Sequence, residues 1–219
     1  MRALVISDLH IGDGTEADDF RGQDDRILNF ISSIAPDRLY FNGDIFELWQ
    51  CRMKDIRSLH YALTKFVDGE YVHGMIFPEV IRIKGNHDYS LFGKMKAELV
   101  TDSGKKILIT HGFQNDPWMT NPISRFATWC FGRIERLIPG ANNIFGTSKR
   151  ITNKAQEYAM KMGKKYDYVV LGHTHEIGLD WVLLDGKTVL YANSGCCCSG
   201  KMQGLLIDTK DSSVKMVEG

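Results

Sequence analysis

Several features are missing from this chain, and each absence closes off a class of protein. No run approaches the roughly 20 apolar residues of a membrane-spanning helix. The N-terminal apolar stretch from Ala3 to Ile6 runs straight into Ser7, Asp8 and His10. A secretory signal needs a longer apolar region and a small-residue cleavage site, so a cytoplasmic protein is expected. The five cysteines, at 51, 130 and 196 to 198, contain no CxxC spacing, which argues against a zinc ribbon or a dithiol redox motif. Three consecutive thiols alternate sides of an extended strand and cannot all meet one ion or pair with each other; reduced, largely buried thiols are expected. Neither sign of charge is in excess, since 27 basic residues offset 27 acidic ones. No global field therefore steers the chain toward nucleic acid, and no specific nucleic-acid binding is expected. Repeats, low-complexity tracts and linkers are absent too. The 219 residues suit one well-buried core, so a single domain over 1–219 is expected.

What is present is a series of short apolar runs, each ending in polar residues. Ala3 to Ser7 delivers Asp8-Leu9-His10; Arg38 to Asn42 delivers Gly43-Asp44-Ile45-Phe46-Glu47. Val80 to Ile83 delivers Gly85-Asn86-His87-Asp88, where the glycine is expected to let the backbone turn. Lys106 to Thr110 delivers His111-Gly112, and Tyr168 to Leu171 delivers Gly172-His173-Thr174-His175. Nearly continuous Leu, Val and Ile of this kind reads as buried strand.

Helical spacing separates the runs. Ile27, Leu28, Ile31 and Ile34 mark one helix, with Asp24 and Asp25 at its start and Pro36 at its end. Ile56, Leu59, Leu63, Phe66 and Val67 mark a second, and Leu91 to Leu99 a weaker third. Strand and helix alternate as in an α/β fold whose chemistry lies beyond the strand ends. Strands at Trp181 to Leu184, Thr188 to Ala192 and Leu205 to Ile207, with a turn at Asp185-Gly186, make the C-terminal part a meander.

The interval 113–165 differs. Ile123, Phe126, Ala127, Cys130, Ile134 and Leu137 keep helical spacing, Pro139-Gly140 interrupts it, and a second helical run covers about Ser148 to Met162. From 121 to 165 nine Lys or Arg stand against Glu135 and Glu157, a local excess of seven that the rest of the chain balances. This reads as a helical cap inserted at about 113–165. Its basic side is either an ordinary solvated face or a contact for an anionic substrate or acidic lipid.

Five strand ends thus supply Asp8 and His10, Asp44, Asn86 and His87, His111, and His173 and His175. Carboxylate, imidazole and amide oxygen without thiolate suit ions such as Mn, Fe or Zn. The donors outnumber the needs of one ion, which favours two ions sharing a carboxylate.

The pattern Asp8-x-His10, Gly43-Asp44-x-x-Glu47, Gly85-Asn86-His87-Asp88, His111 and Gly172-His173-x-His175 resembles the calcineurin-like metallophosphoesterases, in order and over most of the chain. The resemblance implies a two-sheet β-sandwich flanked by helices, and two divalent ions, manganese first, with Fe, Zn, Mg or Co as alternatives. It implies that Asp8, His10 and His175 hold the first ion, that Asp44 bridges, and that Asn86, His111 and His173 complete the second. His87 would face the phosphoryl group and leaving oxygen as a catalytic residue with Glu47 as its acidic partner. The implied reaction is hydrolysis of a phosphodiester or pyrophosphate by in-line attack of a hydroxide between the ions.

Within the family, Gly43 to Trp49, the helical insertion after His111 and the Asn193-Ser194-Gly195 turn are most similar to the UDP-2,3-diacylglucosamine pyrophosphatases, which act on a lipid-linked nucleotide. That branch carries Arg where this chain has His87. A small-molecule or lipid-linked phosphoester substrate follows, with peripheral membrane contact through the cap. A broad phosphatase or phosphodiesterase on small phosphoesters, nucleotides or phosphoproteins is the alternative, and a non-catalytic scaffold the third. Outside the pattern, His60 and His73 are expected at the surface or in structural roles, and Asp13, Asp18 and Asp19 in solvated loops. Asp88 either caps a helix or orients the site, and Asn193-Ser194-Gly195 is a structural turn.

Overall fold

The computed structural model describes residues 1–15, 18–70, 78–135 and 148–219. Its apolar runs form strands that assemble into two five-stranded sheets. In the first, β1 (Arg2–Ile6), β2 (Arg38–Asn42) and β3 (Glu79–Ile83) are parallel, and a hairpin of β9 (Gln203–Asp208) and β10 (Ser213–Glu218) adds to the free side of β1. In the second, β5 (Lys106–Ile109), β6 (Tyr168–Leu171) and β8 (Lys187–Ser194) are parallel. Antiparallel edge strands β4 (Ala97–Val100) and β7 (Ile177–Leu184) close it. The β7–β8 hairpin turns at Asp185 and Gly186, with φ of 48° and 81°, the double positive φ that the tightest hairpins need.

Alternation along β1 shows why both sheets must pack. Ala3 and Val5 join a core with Ile107, Ile109, Val170 and Leu190 of the other sheet. Leu4 and Ile6 point the other way, into a core with helices α1 (Asp24–Ile34), α2 (Met53–Leu59) and α3 (Tyr61–Val67). Both faces of β1 are therefore buried, which is what its unbroken apolar sequence encodes. A 3₁₀ turn (Phe113–Asn115) and the helices α4 (Pro117–Thr120), α5 (Pro122–Glu135) and α6 (Ser148–Gly163) follow β5. Ala155 and Ala159 of α6 pack on Val169, Leu171 and Val189 of the second sheet. The result is the α-β-β-α sandwich expected, with α6 as its outer layer and α5 extending toward the strand ends.

Local expectations met different fates. Helix α1 begins with Asp24 and Asp25 and stops one residue before Pro36, at a left-handed Ala35. The helix expected over 56–67 is two helices broken at His60. Leu91 to Leu99 is not helical: turns lead into β4, whose side chains alternate buried and exposed. Period two won over a weak period of 3.6. Strand β10 has no counterpart in the sequence reading. Leu137, Pro139-Gly140 and His73 lie outside the described residues.

Candidate metal centre

The loops after β1 and β2 run side by side. Asp8 N–H donates to Gly43 O (3.0 Å), His10 N–H to Asp44 O (3.0 Å), and Ile11 N–H to Ile45 O (2.9 Å). This zipper continues the strand pairing past the sheet edge, and it holds Asp8, His10 and Asp44 at φ of 54°, 49° and 51°. His173 and His175 are also left-handed, at 71° and 59°. Non-glycine residues at positive φ are costly and persist where their surroundings over-determine them, typically at functional sites.

Close approach governs the glycines. A Cβ on Gly85 would lie 2.0 Å from Asp44 Oδ1 and 2.2 Å from Asp44 N. Gly85 is absent from the positive-φ residues, so room, and not the turn expected from sequence, is why it must be glycine. The space it leaves lets His87 N–H donate to Asp44 Oδ1 at 2.8 Å.

Among the described residues, four groups of potential ligands converge. Asp8, His10 and His175 form one, and Asp44, His111 and His173 a second, with donor atoms in each lying within 4.8 Å of one another. Asp44 Oδ2 lies 3.1 Å from His111 Nε2, and Asp8 Oδ1 3.2 Å from His175 Nε2. His111 Nδ1–H donates to Asn42 O at 2.7 Å, which leaves Nε2 aimed inward. Asp8 Oδ1, Asn86 Oδ1, His111 Nε2 and His173 Nε2 are buried and make no hydrogen bond within the protein. Inward orphaned oxygens and imidazole nitrogens fit a pair of divalent cations, because burial without such partners is costly.

The third group is His10, Glu47 and His87. Glu47 Oε2 accepts from His10 Nδ1 at 3.0 Å and lies 2.7 Å from His87 Nδ1, the latter a charge contact off the line of a hydrogen bond. One carboxylate therefore serves both imidazoles, where the sequence implied only His87. Trp49 lies over His87, with ring centroids 3.6 Å apart and planes 21° apart, and its indole N–H donates to Asn86 O at 3.2 Å. Sequence reasoning gave Trp49 no role; its only signal was its place two residues after Glu47.

Electrostatics follow from this crowding. Burial pushes Asp8 and Asp44 up, but the facing imidazoles, His111 foremost, outweigh it and hold both carboxyls below the usual range. Glu47 is likewise held at about 2 against its burial, by His87 and His10. Burial lowers His87, yet Glu47 and Asp44 bring it above an ordinary imidazole. Burial and the neighbouring His111 charge push His173 down to about 3.

Other expectations resolve here. Asp88 caps no helix; its carboxylate accepts from Gly85 N–H and Ile45 N–H, both at 2.8 Å, and ties two site loops together. Asp18 is not a solvated loop charge: it is buried and accepts from the backbone of Gly12, Gly14, Phe20 and Arg21. His60 is buried against Asp24, at 2.8 Å. Asn193 and Ser194 brace the site from below: Asn193 Nδ2 donates to Gly172 O (2.8 Å), and the Ser194 hydroxyl pairs with Ser7 (2.7 Å). The fourth group is His175, Cys196 and Cys198, which the sequence reading, placing the thiols on a strand, did not bring to the site.

A groove of about 390 Å³ opens beside His87, lined by Leu48, Trp49, Tyr89, Pro122, Phe126 and Trp129 among others. A hollow of similar volume between α6, β7 and β8 contains Asp180 but no histidine and lies apart from this chemistry.

No curated protein matches the chain significantly. Solved structures do, across their lengths. An archaeal phosphodiesterase aligns over 100% of both chains at 17% identity and a TM-score of 0.52. A dimetal phosphatase from Danio rerio aligns over 100% of this chain and 95% of its own, at 9% identity and 0.53. Vps29 from Entamoeba histolytica, complexed with zinc, aligns over 100% and 98%, at 18% and 0.50. At such identities the likeness is one of fold. The sequence profile of the calcineurin-like phosphoesterase superfamily domain matches residues 1–212, and with that match the chain belongs to the calcineurin-like phosphoesterase superfamily.

Proposed function

We propose that the chain is a two-metal hydrolase of a phosphodiester or pyrophosphate bond. The observation that carries this reading is the pair of donor sets, Asp8, His10 and His175 in one and Asp44, His111 and His173 in the other, beside a histidine held by Glu47. Asp8, His10 and His175 would hold one divalent ion, and Asn86, His111 and His173 the other, with the Asp44 carboxylate available to both. When bound, such a pair supplies a nucleophile at neutral pH and neutralises phosphoryl oxygens. Manganese is our first assignment.

The chain's own residues do the rest. Asp44 fixes the position of the His87 backbone through its 2.8 Å hydrogen bond. Glu47 keeps the His87 imidazole protonated, so that its ring can donate to the leaving oxygen. Trp49 restricts the ring to one plane. The aromatic groove beyond His87 receives the leaving part of the substrate, and a nucleotide-linked lipid such as a UDP-2,3-diacylglucosamine-like molecule suits its apolar lining. In this reading the basic interval 121–165 contacts an acidic membrane surface. Among the described residues no helix is long and apolar enough to cross a membrane.

The replacement of that branch's Arg by His87 favours a second reading, a broad diesterase or phosphatase without the lipid. Hydrolysis of bis-p-nitrophenyl phosphate with Mn²⁺, abolished by a chelator, tests both; inactivity across several divalent metals would sink them. Release of UMP from UDP-diacylglucosamine separates them, since cleavage of simple phosphoesters alone removes the lipid substrate.

A further inference from the structure

Cys196, Cys197 and Cys198 follow β8 as a buried loop, and the loop is pinned to the metal centre by its backbone. Cys197 N–H is shared between Ser7 O and Asp8 O, each at 3.2 Å. The thiols then divide. Cys197 Sγ donates to Gln203 O at 3.1 Å and sits in the core between the first sheet and its helices. Cys196 and Cys198 point elsewhere, and their sulfurs and a His175 ring nitrogen lie within 4.8 Å of one another. His175 has 43% of its side chain exposed, while Cys196 and Cys198 are each 2% exposed. The trio is thus a dry pair of sulfurs with one ligand opening to solvent.

We propose that Cys196, Cys198 and His175 form a further cation site, which overlaps the carboxylate–imidazole cluster at His175 and takes a thiophilic divalent cation of the zinc class. Two sulfurs and one imidazole are a donor set chosen by soft ions over Mn²⁺ or Mg²⁺. A three-residue set leaves one position of a tetrahedral ion open. The pinned loop makes the two sulfurs a preformed pair, and the exposed imidazole gives the ion a path in. His175 also belongs to the Asp8 and His10 group, so an ion seated on the thiolates draws on a ligand of the hydrolytic centre. Thiophilic cations in excess therefore inhibit, whereas Mn²⁺ supports turnover. The sulfur site itself rests on no assignment of substrate or activity.

Cadmium alone, titrated into the metal-free full-length protein, is the probe. Cysteine-bound cadmium absorbs in the ultraviolet through thiolate-to-metal charge transfer. We expect this band in the native protein and in Cys197→Ser, and its loss in the Cys196→Ser/Cys198→Ser double variant. A band that persists in full in the double variant, or no band in the native protein, overturns the site. Cadmium NMR of the native protein needs no substitution: a thiolate-range resonance separate from nitrogen- and oxygen-ligated ions supports it, and its absence overturns it. Because neither readout needs turnover, failure here and failure of the hydrolase reading are told apart. In the double variant, Mn²⁺-supported hydrolysis persists and loses its sensitivity to added cadmium; unchanged sensitivity refutes the competition through His175.

Discussion

The strand-end loops and helix α5 are neighbours built on opposite principles. The loops are buried and zipped to each other, and their conformation is set atom by atom: Gly85 has no room for a methyl, and five site residues hold positive φ. Helix α5 instead presents Ile123 at 80% exposure, Phe126 at 65% and Trp129 at 40% to solvent or to the groove beside His87. The loops have no freedom to vary without losing the cluster. Among the described residues, none of Ile123, Phe126 and Trp129 belongs to a core cluster. On the proposed reading, the first region carries the chemistry and the second faces the substrate.

Perturbing the loops tests the first half of that contrast. Asp44→Asn removes the carboxylate common to both donor sets, and turnover of bis-p-nitrophenyl phosphate should fall to that of the chelated protein. Gly85→Ala should lose metal binding as well as activity. Overpacking of this kind costs about 1–3 kcal/mol, which calorimetric unfolding of the metal-free protein will read as a lower Tm. His87→Ala should cut turnover on the order of 10²–10⁴-fold while metal analysis still finds two ions per chain; a one-ion protein would place His87 among the ligands instead.

Smaller changes probe the link between the regions. Glu47 raises His87, whereas burial lowers it. In Glu47→Gln only the lowering influence remains of the two, so the imidazole loses its proton at lower pH. The alkaline limb of kcat against pH should then move toward acid, and a limb that stays in place assigns it to another group. Phe126→Ala should leave the small diester untouched and raise KM a few-fold for a substrate with a bulky apolar leaving part. An equal effect on both substrates would place Phe126 in the fold's stability and not in substrate choice.

Much of the cluster was legible because strand ends are punctuated by composition. An apolar run stopping at Asp8, Asp44, Asn86, His111 or His173 announces where a sheet presents its edge, and the sandwich brings those edges together. What was illegible depends on pairings remote in sequence. Asp18 reads as a loop charge until four backbone N–H groups converge on it. Trp49 reads as a motif neighbour until its ring meets His87, 38 positions on. The cysteine triplet reads as strand, and bonds linking Ser194, Gly195 and Cys197 to Ser7 and Asp8 carry it to the site. Leu91 to Leu99 failed for a local reason: its spacing matched a helix weakly, and pairing of Ala97–Val100 with β5 overrode it.

Two ions flanking Asp44, with His87 held off them by Glu47, would leave a crystallographic signature. Anomalous diffraction from crystals grown with Mn²⁺ tests it most directly. Two peaks about 3.5–4 Å apart are expected, one beside Asp8, His10 and His175 and one beside Asn86, His111 and His173, with Asp44 touching both. A single peak, or a peak seated on His10, Glu47 and His87, would contradict it.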